Sequence, residues 1–191
     1  MKISEIRGGL KIRKPSLFFS KYLELTDSPA RTILKKYEYN VISLNKKMLK
    51  GPIIIDLGCG DGVFSEAAFE GFQIAGIDIS KNAVKYAKKR EVYRSIILAD
   101  ARFLPFRSNS VDTIISISVL EHIPKIDEVF NDVLRVLHKS GVFLFTVPAK
   151  TYNNSFFVSK ILEPLSKIKH VKRLRERYIM GGQLFLNLIM L

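Results

Sequence analysis

With one cysteine, Cys59, in 191 residues, an internal disulfide is ruled out, so nothing points to an oxidising compartment. Histidine is nearly as scarce. His122, His138 and His170 are too scattered to form a metal-ligand pattern with that single thiol. No apolar run approaches the roughly 20 residues of a membrane-spanning helix, and the first residues lack the apolar core of a secretory signal. A cytoplasmic location is the expectation. There are no internal repeats, and no Gly-Lys-Ser/Thr is present to make a P-loop.

The length suits one domain with a single buried core, and 47% hydrophobic residues agree with a folded globular chain. The net charge of +13 is unevenly placed. Residues 1–50 carry 12 Lys/Arg against 4 Asp/Glu, residues 51–150 carry 12 against 12, and residues 151–191 carry 7 against 2. A neutral centre with basic flanks suits an anionic substrate, a membrane surface or RNA. Solubilising lysine on exposed helix faces is the plainer reading.

The chain is organised around Ile53-Ile54-Ile55-Asp56-Leu57-Gly58-Cys59-Gly60-Asp61-Gly62. Three β-branched residues in a row suit a strand buried on both faces, and the alternating glycines make a turn that a ligand can approach. Val63, Phe64, Ala67 and Ala68 follow at helical spacing, with Gly71 as a stop. A dinucleotide fingerprint of the form G-x-G-x-x-G fails, because Val63 or Ser65 stands where its third glycine belongs. Two further strands end in acids, at Asp78 and Asp100. Each acid alone could cap a helix or close a turn, and Asp78 followed by Ser80 invites that reading. Together they converge on one sheet edge, where open α/β sheets bind ligands.

The remaining elements follow from periodicity. Residues 1–28 read as a basic and aromatic arm with a short helix around Leu17, Phe18, Phe19 and Tyr22. Asp27 or Ser28 caps a helix whose apolar stripe is Ile33, Leu34, Tyr37, Val41, Leu44 and Met48. Ser80 caps a helix with Ala83, Val84 and Ala87 on its inner face, and strands are expected near 94–99, 112–118 and 142–147, with a helix carrying Ile126, Val129, Phe130, Val133, Leu134 and Leu137 before the last of these. Residues 29–150 are thus the core domain. Residues 151–191 read as a polar loop at Tyr152–Asn154, a helix near 156–165, a basic helical segment at 167–177 with Ile168, Val171 and Leu174 three apart, and an apolar tail, Gln183–Leu191.

The order of these motifs, from about Gly51 to Pro148, resembles the class I S-adenosylmethionine-dependent methyltransferases. Leu104-Pro105-Phe106, Ser110 to Ser116 and Ser118 to Ile123 are similar to its ubiquinone and menaquinone branch. The resemblance implies a doubly wound, mostly parallel Rossmann-like sheet with helices on both faces. It implies S-adenosylmethionine as cofactor, held along Asp56, Gly58, Cys59, Gly60 and Gly62. Asp78 with Ile79 would take the ribose diol, which a carboxylate can accept from at both hydroxyls. Asp100 and Ala101 would take the adenine, and Ser118 would line the site. His122, after the fourth strand, is the candidate general base; the alternative is that it only orients its loop.

Absences narrow the acceptor. Amino-methyltransferases of nucleobases in this superfamily carry Asn/Asp-Pro-Pro-aromatic after the fourth strand, and Ser116 to Leu120 contains no proline. A base C5-methyltransferase needs a catalytic cysteine, whereas Cys59 lies in the glycine turn. An oxygen or carbon of a small-molecule, lipid or glycan-type acceptor is the leading expectation. The alternative is a non-catalytic cofactor-fold protein or an RNA-binding methyltransferase subunit. Family members usually add two antiparallel C-terminal strands, of which this chain has length for at most one. The outer edge of the fifth strand would then be covered by the tail or by a second copy in a homo-oligomer.

Overall fold

Successive side chains of a strand point to opposite faces, and Ile54 and Ile55 show this directly, each entering a different apolar core. The computed structural model describes residues 11–26, 28–49, 51–70, 74–150, 173–180 and 183–189. In chain order the elements are β1 (Lys11–Ile12), α1 (Pro15–Leu25), α2 (Pro29–Leu44), β2 (Ile54–Leu57), α3 (Val63–Ala68), β3 (Phe69–Glu70), β4 (Ile74–Asp78), α4 (Lys81–Ala87) and β5 (Tyr93–Leu98). They continue with β6 (Val111–Ile117), α5 (Ile126–Val136), β7 (Leu137–Thr146), β8 (Pro148–Lys150), β9 (Arg173–Met180) and β10 (Gln183–Ile189). The expectations for residues 1–10, Asp27, Gly71, Tyr152–Asn154, the helix near 156–165 and the basic residues 167–172 lie outside the described residues.

The main sheet has the order β5-β4-β2-β6-β7, parallel at every pairing. From β2 the chain winds outward through β4 and β5, then returns to the other side of β2 as β6 and β7. That reversal leaves a crevice at the carboxyl ends of the strands. One core packs Val129, Phe130 and Val133 of α5 on Ile55, Ile114, Phe143 and Phe145. The other packs α1, α2 and α3 on Ile54, Ile74, Ile115 and Leu144. The doubly wound fold is therefore present, with both faces covered. No helix among the described residues is long and apolar enough to cross a membrane.

Local chemistry accounts for most boundaries. Ser28 Oγ accepts from Arg31 N at 3.3 Å and Ser80 Oγ from Ala83 N at 3.2 Å, so both expected serine caps are made. Asp132 and Arg135 of α5 hold the loop before β6. Arg135 donates to the carbonyls of Phe106 and Leu104 at 2.7 and 2.9 Å, and Asp132 accepts from Leu104 N. Arg13 donates to the carbonyls of Ala67 and Phe69 at 3.1 and 3.0 Å. It thereby satisfies exposed acceptors at the end of α3, where a cation also suits the helix dipole.

Three expectations need correction. The buried stripe of α2 is Thr32, Tyr39, Val41 and Ile42, while Ile33 and Leu44 remain 61% and 63% exposed. Tyr39 marks the buried side: Phe18 of α1 stacks on it with ring centroids 4.2 Å apart, and both rings are fully buried. The C-terminal strand pair is also complete, since β9 and β10 form an antiparallel ladder in the order β8-β10-β9. β10 runs beside β7, the edge expected to need cover. Finally, Arg173–Met180 is a strand and not part of a basic helix. The three-residue spacing of Ile168, Val171 and Leu174 is a weak local signal, and pairing with β10 overrides it.

Phe130 is 1% exposed and meets Phe143 and Phe145 edge-on, with centroids 6.1 and 6.0 Å away. Phe130→Ala should cost about 3–5 kcal/mol. Urea unfolding should show a lowered midpoint at unchanged slope.

Candidate functional site

The turn after β2 is held from below by Asp56. Its carboxylate is buried, and Oδ2 accepts from Ser65 Oγ at 2.6 Å and from the Tyr93 hydroxyl at 2.5 Å. Burial pushes its pKa up, and these two hydrogen bonds oppose the shift. The Tyr93 hydroxyl is pushed up as well, by burial and by the Asp56 charge. Asp56 thus ties β2 to α3 and β5, and it borders the site from beneath.

Above it, Gly58 and Gly60 have φ of 73° and 57°, the left-handed region that glycine tolerates. A Cβ on Gly58 would lie 2.4 Å from a Val119 methyl, so the β2 turn packs directly against the Val119 side chain just past the end of β6. A Cβ on Gly60 would enter open space. The Gly60 N–H donates to Asp78 Oδ2 at 2.9 Å, and the Ser80 N–H to Asp78 Oδ1 at 2.8 Å. Asp78 therefore performs turn duty, yet each oxygen keeps a lone pair for a further donor.

Two cavities flank this turn. The larger, of about 460 Å³, is lined by Gly58, Asp78, Ile79, Asp100, Ala101, Ser118 and His122. Its size falls in the range of ligand pockets, roughly 300–1,000 Å³. The smaller, about 350 Å³, lies between the turn and the N-terminal helices, and Tyr22, Arg31, Lys35, Asp56, Cys59 and Gly60 border it. Gly58, Ser118 and Val119 line both.

Residues anticipated from sequence thus meet at one edge, though not all are idle. Asp100 is clamped by Arg102, whose Nε and Nη2 lie 3.0 Å from Oδ1 and 2.6 Å from Oδ2. Those hydrogen bonds hold its carboxyl below the usual range. Ser118, at φ 54°, donates its hydroxyl to Glu38 of α2, and Lys35 Nζ lies 2.5 Å from the other Glu38 oxygen. His122 is 78% exposed at the rim, with Nε2 3.9 Å from Glu121 Oε1. Glu121 Oε2 is buried and accepts no hydrogen bond among the described residues, and burial raises the Glu121 pKa. Sequence reasoning missed Arg31, Lys35, Glu38, Ser65 and Tyr93. Each lies on a helix or strand where it passes for an ordinary surface or core residue.

A parallel sheet with carboxylates at three successive strand ends and a glycine turn at its reversal is a nucleotide-cofactor domain of the α/β class. Residues 55–145 match the methyltransferase domain family. An uncharacterized protein of Methanocaldococcus jannaschii is 31% identical over 182 residues, 92% of this chain and 63% of that one. A malonyl-[acyl-carrier protein] O-methyltransferase of Legionella pneumophila is 30% identical over 99 residues, 49% of this chain and 35% of that one. The chain therefore spans less than two thirds of the length of these relatives. In fold it is similar to a crystal structure of a SAM-dependent methyltransferase from Aquifex aeolicus. The TM-score is 0.64 at 19% identity, over 94% of this chain and 100% of the other.

S-adenosylmethionine is the cofactor of this family, and the residues present fit it. The space beside Gly60, the free lone pairs of Asp78 and the size of the larger cavity all leave room for an adenosyl group.

Cys59 is buried in the turn, and burial, with the Asp56 and Asp78 charges, pushes its thiol far up. Only the thiolate is reactive. Native protein at neutral pH should accordingly react with iodoacetamide on the order of a hundredfold slower than urea-unfolded protein, as mass spectrometry of the alkylated peptide would report.

Proposed function

We propose that this chain is an S-adenosylmethionine-dependent methyltransferase acting on an oxygen or carbon of a small-molecule, lipid or glycan-type acceptor, in the cytoplasm. The observation that carries the reading is the joint lining of one cavity by Gly58, Asp78 and Asp100, from three strand ends, with Ser118 and His122 from the end of β6. The O-methyltransferase activity named for the Legionella relative supports an oxygen acceptor, and the absence of proline between Ser116 and Leu120 argues against a nucleobase amino group.

When bound, the cofactor supplies a methyl group on a positively charged sulfur, transferred by in-line displacement. The chain's own task is positioning, which supplies much of the acceleration in such reactions. Asp78 would accept from the ribose hydroxyls while its other lone pairs keep the turn closed. The Ala101 backbone would meet the adenine, and Asp100 its amino group, with Arg102 fixing the carboxylate. Arg31 borders the smaller cavity and would face the carboxylate at the amino-acid end of the cofactor. Lys35 is already paired with Glu38. His122, exposed at the rim, would accept the proton the acceptor loses.

Asp78→Ala removes both acceptors and should weaken cofactor binding by about 1.5–3 kcal/mol. Calorimetric titration with S-adenosylmethionine, with NAD in parallel, tests this. Unchanged affinity, or a preference for NAD, would overturn the reading.

His122→Ala should lower kcat for any accepted substrate and leave the cofactor titration as in the parent. Equal turnover would assign His122 to orienting the loop.

A further inference from the structure

The two N-terminal helices carry apolar side chains that the fold does not use. Leu23 of α1 is 49% exposed and Ile33 of α2 is 61% exposed. With Phe19, Thr32 and Lys36 they line an open groove of about 310 Å³. Along α2, Ile33, Lys36, Asn40 and Leu44 recur at spacings of three and four, so the same outward stripe continues to Leu44. The buried stripe of Tyr39, Val41 and Ile42 lies on another side of the helix. The aliphatic positions of α2 thus divide between a core and a surface.

The acids beside this stripe are paired, and the unpaired charges there, among the described residues, are basic. Lys36 holds its ammonium 5.6 Å from the Phe19 ring centroid, its stem lying over the groove. The one acid of α2, Glu38, is buried and paired with Lys35, and Glu24 of α1 is paired with Lys21. Lys14, Lys36, Lys46 and Lys47 form no ion pair among the described residues.

We propose that the outer face of α1 and α2 is a docking surface for an anionic lipid bilayer, with Leu23, Ile33 and Leu44 entering the headgroup boundary and the lysines meeting lipid phosphates. Helices at a membrane surface combine these two features, and their binding grows with both apolar area and opposite charge. The charge pattern selects this occupant over the others. Two copies facing each other through this surface would bring like charges together, and an RNA backbone would use the lysines but leave the aliphatic side chains in water. The inference stands apart from the methyl-transfer reading, because docking needs neither cofactor nor acceptor.

The test is flotation of the full chain with vesicles of phosphatidylglycerol mixed with phosphatidylcholine, and with phosphatidylcholine alone, in the absence of S-adenosylmethionine. The chain should float with the anionic vesicles only, and less as salt is raised. Ile33→Asp and Leu23→Asp should each weaken vesicle binding by about tenfold or more, and Lys36→Glu by a similar factor of about ten. Ile33→Gln serves in the same way if the aspartate lowers the thermal midpoint. Cofactor titrations of these variants should match the parent, since none of the substituted residues borders the two cavities at the glycine turn. Absence of flotation, or variants that float as well as the parent, would overturn the proposal. So would concentration-dependent dimerisation that Ile33→Asp abolishes, or salt-sensitive binding of an RNA oligomer with no binding to vesicles.

Discussion

A carboxylate taken out of water has to be hydrogen-bonded or neutralised, and Asp56 meets that condition in a way that orders its surroundings. Its partners come from two different elements, Ser65 of α3 and Tyr93 at the start of β5. The acid that ends the first core strand therefore anchors the helix behind the glycine turn and a strand two places away in the sheet. A glycine-rich turn has little intrinsic rigidity. Fixing it from beneath is what allows its upper face to stay open.

The upper face is organised by a second carboxylate. Asp78 accepts the Gly60 N–H from across the sheet and the Ser80 N–H from its own turn, which joins β4 to the loop after β2. On the other side the contact is steric, between Gly58 and Val119. The crevice at the reversal of strand order is thus bounded by one polar and one apolar contact, and a cavity lies to each side. Divided in this way, the site has one chamber lined by Asp78, Asp100 and Arg102 and another bordered by Arg31, Lys35, Asp56 and Asp61.

The N-terminal helices are more than a cover. Phe18, Tyr39 and Phe64 form an aromatic cluster that seats α1 and α2 on α3, and the Tyr39 hydroxyl donates to the Arg13 carbonyl while Arg13 closes the end of α3. From α2, Glu38 reaches Ser118 beyond the fourth core strand. The segment preceding the sheet in sequence is therefore coupled by a partly buried hydrogen bond to the loop that follows β6. The same seating leaves Leu23, Ile33 and Leu44 facing outward.

The elements themselves were legible in the sequence wherever a local rule governs them. β-branched runs buried on both faces marked β2 and its neighbours, serines marked two helix starts, and the glycine spacing marked the turn, because burial period, capping and positive φ act over a few residues. Asp78, Asp100 and His122 could be named because the end of a parallel strand is the edge of a crevice, and Ser118 through the resemblance to a methyltransferase family. Only the folded chain decided what those groups touch. Asp56 faces Ser65 and Tyr93, Asp100 is held by Arg102, and Ser118 is reached by Glu38 from 80 residues away. Partners at such separations leave no periodic trace. The outward turn of Ile33 and the pairing of β9 with β10 were likewise set by contacts made elsewhere, an aromatic stack in one case and a ladder in the other. Spacing selects an element and its apolar residues; which of them are buried depends on the shape of the surface it meets.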